Sequence, residues 1–293
     1  MKVILFYNPR SGSGAAARAA DALDAALRPR GVECAMVEAF NGSTSAVLSG
    51  PLAWADALVV LGGDGTVQSA AECAVERGVP LYHVPMGTEN LFARQFGMRR
   101  EAEAVYAALR SGRTTGVDVA RCNGRSFVLM CSAGPDASVI HRLSRVRTGA
   151  ISHLSYIRPV LAEAFDPALR RVRITVDGRT VVDGRRGMVI VANSRQYALR
   201  ADPARRAVMD DGKLDVVFFP AWTSLGAAGW LLSARLGVHR VRGGWVYESG
   251  RDVRIEGLSG GVPVQLDGEA AEASAERVDV RVDPGKLRVL LPG

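Results

Sequence analysis

Apolar and polar residues follow two different textures along this chain, and the change falls near residue 115. Before it, short and strongly apolar runs alternate with stretches whose apolar residues recur every three or four positions. The runs at 2–7, 32–38, 57–61 and 80–84 predict buried strands, and the stretches at 15–28, 44–50, 67–77 and 101–110 predict helices. Strands that alternate with helices build a parallel sheet with helices on its faces, and such sheets bind ligands at the carboxyl ends of their strands. Beyond the polar stretch Ser111–Gly116 the texture becomes strand-rich. Strands are expected at Arg125–Ala133, Val172–Val176, Gly187–Ala192, Lys213–Phe219, Val253–Gly257, Val262–Leu266 and Val278–Val282, with Asp177-Gly178 and Asp183-Gly184 as turns. Helices are inserted near 150–165 and 224–236. The pattern therefore predicts an α/β domain over 1–115 and a mostly antiparallel β domain over 116–284.

Three predicted strands of the first domain run into glycine-containing loops. Leu58–Leu61 leads into Gly62-Gly63-Asp64-Gly65-Thr66, and a helix follows. Glycines let backbone N–H groups approach a ligand closely, and a helix N-terminus favours phosphate. Asp64 would repel a phosphate, so its carboxylate implies a divalent cation or a proton transfer. The first strand feeds Asn8-Pro9-Arg10-Ser11-Gly12-Ser13-Gly14, and the fourth feeds Gly87-Thr88-Glu89-Asn90. A Walker loop is missing: Gly-Lys occurs at 212–213 and 285–286, and Leu follows both times.

These segments, with Asp211–Asp215 and Asp267-Gly268-Glu269, stand in the order of five landmarks of the diacylglycerol kinase catalytic-domain family, which the chain resembles over nearly its whole length. Gly134-Pro135-Asp136-Ala137 is similar to a further family motif. The family includes bacterial lipid kinases and sphingosine kinases, and NAD kinases and phosphofructokinases are more distant relations. The resemblance implies a second domain that is a β-sandwich, with the last strand (287–291) and residues 285–293 returning to the first domain. It implies an ATP- and Mg²⁺-dependent kinase that phosphorylates a lipid hydroxyl, diacylglycerol-like acceptors first. Gly62, Gly63 and Gly65 would hold phosphates through backbone amides, with Gly87 also part of the nucleotide site. Asn8, Pro9, Arg10, Ser11, Gly12, Thr66, Thr88 and Asn90 would complete the nucleotide site. Asp64 would engage Mg²⁺ or its water shell, and Glu269, beside Asp267, would accept the proton of the substrate hydroxyl. Asp211 with the carbonyls of Val208 and Lys213 would hold a structural Mg²⁺.

The chain departs from the family pattern at Leu91, Gln68 and Ser69, where acidic or amide residues usually stand, and at Ala198–Ala201, which replaces a glycine-rich run. Glu89 and Glu72 are the carboxylates nearest in sequence that could compensate. A catalytically weak or non-catalytic nucleotide- and lipid-binding relative is therefore a second reading. A third is an NAD(P)-binding oxidoreductase, because Gly12-x-Gly14-x-x-Ala17 with Glu38 mimics a dinucleotide fingerprint.

Composition narrows the partners. Apolar residues make up 48% and charged residues 23%, as in a globular protein, and the net charge of +7 with a pI near 9.6 favours an anionic partner. Arginines cluster at Arg142/Arg145/Arg147, Arg170/Arg171/Arg173 and Arg240/Arg242, with no RNA-recognition signature, so a nucleic-acid partner is not expected. An anionic membrane surface, touched peripherally from the cytoplasm, suits a bilayer-resident acceptor. Oligomeric state stays open, a homodimer included. The four cysteines lack metal or disulfide spacing and predict buried thiols. The histidines lack metal-ligand spacing, and a start that runs directly into a strand leads us to expect no signal peptide. Val216–Ala234 is free of charge for 19 residues, but Pro220 splits it into a strand and a helix. Trp222 and Trp230 on that segment would suit a membrane interface.

Overall fold

The computed structural model describes residues 1–39, 43–146 and 169–293. The chain forms two compact units, Met1–Val117 with Gly285–Gly293, and Asp118–Pro284.

In the first unit β1 (Lys2–Tyr7), β2 (Glu33–Glu38), β3 (Ala57–Gly62) and β4 (Leu81–Pro85) form a parallel sheet in the order β2-β1-β3-β4. Every residue of β3 is buried, as expected for a strand covered on both faces. The covering helices are α1 (Ala15–Leu27), α2 (Thr44–Leu52), α3 (Asp64–Arg77), α4 (Leu91–Phe96) and α5 (Ala102–Ser111). Leu23 and Leu27 of α1, Val67 of α3 and Val105 of α5 are buried with the β1, β3 and β4 side chains.

The second unit is antiparallel. Its strands are β5 (Thr114–Cys122, begun in the first unit), β6 (Arg125–Phe127), β7 (Met130–Ala133), β8 (Arg170–Val176), β9 (Arg179–Ala192), β10 (Leu214–Pro220), β11 (Val246–Gly250), β12 (Asp252–Gly257), β13 (Val264–Leu266), β14 (Glu269–Ala270) and β15 (Arg277–Leu290). β7 pairs with β9 and β13, β10 pairs with β9 and β11, and β12 lies between β8 and β15. Phe127, Ile174, Val191, Phe218, Ile255 and Leu266 belong to one apolar core there. Among the described residues the unit also carries α6 (Pro135–Val146) and α7 (Ser224–Arg235). The end of β15 belongs to the first unit, where Val289 pairs in parallel with Leu81 of β4.

Several elements differ from the pattern-based expectation. The helix expected from 67 starts at Asp64, because Gly63 is its N-cap and the glycine turn is its own first turn. α4 is too short to show a helical period; Asn90 and Gly97, both at positive φ, bound it. α6 opens on Pro135, a residue suited to the first helical position. β9 runs straight through Asp183-Gly184, expected as a turn. The register slips opposite, between Val172 and Thr175, and Gly184 at φ +64° absorbs the irregularity. Asp177-Gly178, both at positive φ, is the true hairpin turn between β8 and β9. β5 and β11 are additional strands. The expected helix near 150–165 and Arg147 lie outside the described residues. Val216–Ala234 divides at Pro220 as expected, and no helix among the described residues is long and apolar enough to cross a membrane. All four cysteines are buried and unbonded.

Candidate nucleotide-binding and proton-acceptor sites

In the first unit the three glycine loops lie at the carboxyl ends of β1, β3 and β4. Asn8 continues the β1–β3 ladder through its N–H to the Leu61 carbonyl (3.1 Å), and its Oδ1 accepts the Arg10 N–H (3.0 Å). That side-chain bond bends the chain at Pro9 and Arg10 into a short turn over Ser11–Gly14, in which Gly12 has φ +58°. At β3 the Gly63 carbonyl accepts Thr66 N–H and Val67 N–H, which starts α3. The amides of Asp64 and Gly65 fall in the first helical turn, which has no intrahelical acceptors, so this end of the helix attracts anions.

The loops after β3 and β4 are locked together. A Cβ on Gly87 would lie 2.6 Å from the Gly63 Cα. Asn90 closes its own turn in both directions: Oδ1 accepts Gly87 N–H (2.7 Å) and Nδ2 donates to the Gly87 carbonyl (2.8 Å). Asp64 reaches over from α3 and caps α4. Its Oδ2 accepts Leu91 N–H and its Oδ1 accepts Phe92 N–H, both at 2.9 Å. The Asp64 carboxylate is therefore engaged with two backbone donors. Thr66 is buried, with its hydroxyl against Gly62, and Leu91, at the position of the expected acid, is buried in the core. Glu89 pairs with Arg94 (3.4 Å). Beneath the turn, buried His83 meets the Gly62 carbonyl through Nε2 (2.8 Å), and burial holds its pKa below the usual histidine value.

In the second unit Asp267 sits at φ +50°, in the turn between β13 and β14, and is almost fully buried. Its carboxylate accepts three backbone N–H groups, from Val128, Leu129 and Met130, each at 2.8 Å. Expected beside the base, it is an anchor for the 128–130 segment. Glu269 follows two residues later, at the start of β14 and half-buried. A chain of polar groups holds the turn between them. Gly268 N–H donates to Gln265 Oε1 (2.7 Å), and Gln265 Nε2 donates to Ser132 Oγ (2.7 Å). The Ser132 hydroxyl donates to Asp136, and the Tyr197 hydroxyl donates to the same oxygen (2.8 Å). Burial pushes the Asp136 carboxyl above the usual range, against the pull of both hydroxyls.

The proposed structural-metal residues share one exposed loop. Asp211 Oδ1 accepts Lys213 N–H (3.0 Å), while buried Asp118 fixes the loop by accepting Gly212 N–H (2.7 Å) and donating its own N–H to Met209. One carboxylate and two carbonyls would be a hard oxygen set of the kind Mg²⁺ takes. No three His, Cys, Asp or Glu side chains converge as a ligand set among the described residues.

Sequence reasoning missed His83, Asp118, Ser132, Gln265 and Tyr197. Each acts through a neighbour distant in sequence, and only Asp136 lay in a motif that could have pointed to it.

Comparison with known proteins places this architecture. Residues 2–122 match the diacylglycerol kinase catalytic domain, and residues 129–291 match the YegS C-terminal NAD kinase beta sandwich-like domain. The chain belongs to the diacylglycerol kinase family. A diacylglycerol kinase of Mycobacterium tuberculosis is 31% identical over 229 residues, covering 73% of this chain and 72% of that protein. An uncharacterized protein of Synechocystis is 26% identical over 168 residues, which is 57% of this chain but 39% of that protein's length. Among solved structures, a diacylglycerol kinase from Bacillus anthracis superposes with a TM-score of 0.68 at 18% identity, covering 99% of this chain and 96% of that one. An NAD kinase from Archaeoglobus fulgidus in complex with ATP reaches 0.57 at 16% identity, covering 99% and 93%. The expected family and the expected fold are both borne out.

Proposed function

We propose that this protein is an ATP- and Mg²⁺-dependent kinase that phosphorylates a lipid hydroxyl, with a diacylglycerol-like acceptor, and that it works at an anionic membrane surface on the cytoplasmic side. The observation that carries the nucleotide half is the set of three loops at one end of the parallel sheet, with the α3 N-terminus among them. Family membership supports the acceptor. The amides of Gly63, Asp64 and Gly65 bind phosphate oxygens, with Asn8, Arg10, Ser11 and Thr88 on the nucleotide. Bound Mg²⁺ would supply charge neutralisation on the phosphates. Asp64 is the carboxylate at that turn, and its first task is to hold the Gly87–Asn90 loop in shape. Glu269 accepts the hydroxyl proton as the acceptor oxygen bonds to the γ-phosphorus. The bond from that phosphorus to the bridging oxygen breaks, and ADP leaves. Asp267 and the Gln265–Ser132–Asp136 chain position the turn that carries Glu269.

Glu269→Gln tests the assignment. It should lower kcat by about 10²–10⁴-fold and leave ATP affinity nearly unchanged. Lost ATP affinity with kcat retained would make Glu269 a nucleotide ligand. The Asp64 carboxylate's engagement with backbone donors and the buried Leu91 also favour one second reading, a relative that binds nucleotide without turnover. ATP binding with no product from any acceptor would select it.

A further inference from the structure

The helix α7 is apolar on both faces. Thr223 caps it by accepting Gly226 N–H (3.1 Å). Its inner face buries Ala227, Trp230 and Ala234. Trp230, expected at an interface, is instead fixed inward: it stacks on Phe219 at 5.0 Å and donates its Nε1–H to the Pro220 carbonyl (2.7 Å). The outer face carries Leu225, Ala228, Leu232 and Leu236, spaced three and four residues apart and so on one stripe. Leu225 is 77% exposed, Leu232 58% and Leu236 67%. Trp222, just before the helix, is 77% exposed, and Val241, just after it, 86%. A surface helix ordinarily turns charge outward, and an apolar outer face calls for cover.

The charges on this segment of the chain have one sign. From Asp215 to Glu248 the chain has no other acid, yet it carries Arg235, Arg240 and Arg242. Arg186 stands 5.8 Å from the Trp222 ring. A second copy related by a two-fold axis would set these arginines against their own counterparts, with no carboxylate on the segment to pair with them. An anionic headgroup layer supplies the opposite charge, accepts Trp at headgroup level and covers the leucines.

We propose that the outer face of α7, namely Trp222, Leu225, Leu232, Leu236 and Val241 rimmed by Arg186, Arg235 and Arg240, docks the protein on an anionic bilayer with the helix in the plane of the headgroups. The proposal deepens the lipid-kinase reading, which requires a bilayer-resident acceptor to be reached, but its own support is the helix.

The test is sedimentation of the full chain with vesicles of phosphatidylcholine alone, or of phosphatidylcholine and phosphatidylglycerol in equal parts. Wild type should pellet with the anionic vesicles and be released by salt. Leu225→Ser/Leu232→Ser should weaken binding ~10-fold or more, and Arg240→Gln about fivefold. Both substitutions are at exposed positions, so melting temperature and ATP affinity should hold. The proposal is overturned if wild type ignores anionic vesicles, or if the double serine variant binds as wild type does. It is also overturned if wild type is a dimer that this variant splits, which would make the face a contact between copies. Vesicle binding lost in the variant while wild type transfers no phosphate to lipid would support the docking face and refute the kinase reading separately.

Discussion

Gly87→Ala should damage the first unit through a contact that can be measured in advance. The new Cβ would lie 2.6 Å from the Gly63 Cα and 3.0 Å from Asn90 Oδ1. Carbon atoms pack at about 3.5–4.0 Å, so two backbone segments must separate by roughly 1 Å. Neither can swing away. Gly63 starts α3 by accepting two N–H groups at its carbonyl, and Gly87 is clamped on both sides by Asn90. Overpacking of this kind costs about 1–3 kcal/mol. The reverse substitution, Gly63→Ala, is the control. Its Cβ would lie 3.3 Å from the Gly87 Cα, and Gly63 has φ −96°, which alanine adopts without strain. A few tenths of an ångström relieve that contact, and the cost should stay below about 1 kcal/mol. Thermal unfolding followed by circular dichroism reads both. At about 2–4 °C per kcal/mol, Gly87→Ala should melt roughly 2–12 °C below wild type, and Gly63→Ala within about 4 °C of it. If Gly63→Ala is the more damaging of the two, or Gly87→Ala melts like wild type, the two loops are not packed as described.

Asp267→Asn offers one acceptor oxygen and an amide NH₂ to three backbone donors, so at least one buried N–H loses its partner; a loss of about 2–4 kcal/mol is expected in urea unfolding, and a wild-type midpoint would contradict the anchoring role. Asp64→Asn should speed hydrogen exchange at the Leu91 and Phe92 amides by freeing the start of α4, whereas unchanged protection would show that the carboxylate does not hold that turn. His83 gives a pH dependence whose sign follows from its lowered pKa. The unfolded histidine takes up its proton near the ordinary value of 6.5 and the buried one resists, so stability is full above that pH and falls as pH drops toward the folded value. One histidine contributes at most about 1.4 kcal/mol per pH unit, so His83→Gln should lose less stability than wild type between about pH 7.5 and 5.5; equal losses would remove His83 as the cause.

The fold was legible because its signals are local. β1, β3 and β4 are buried apolar runs and α1 and α5 are periodic, so strand and helix types follow from the chain itself. The glycine loops were legible as loops at strand ends. What those loops do to one another was not. Asp64 read as a metal or proton group because a carboxylate among glycines suggests chemistry, but its partners lie 27 and 28 residues away on α4. The anchoring by Asp267 was hidden in the same way, since its three donors come from 137 to 139 residues earlier. Long-range capping by a carboxylate leaves no pattern in sequence. Trp222 and Trp230 look alike in the chain, and only the packing of α7 turns one outward and the other inward.

Phosphoryl transfer from ATP to a lipid hydroxyl is measured most directly by incubating the protein with γ-labelled ATP, Mg²⁺ and a total lipid extract, then separating and identifying labelled lipid. A labelled phospholipid should form only when protein, Mg²⁺ and lipid are all present, and should fall sharply with Glu269→Gln. Label that stays entirely in ATP, or passes only to a water-soluble acceptor, would contradict the lipid-kinase reading.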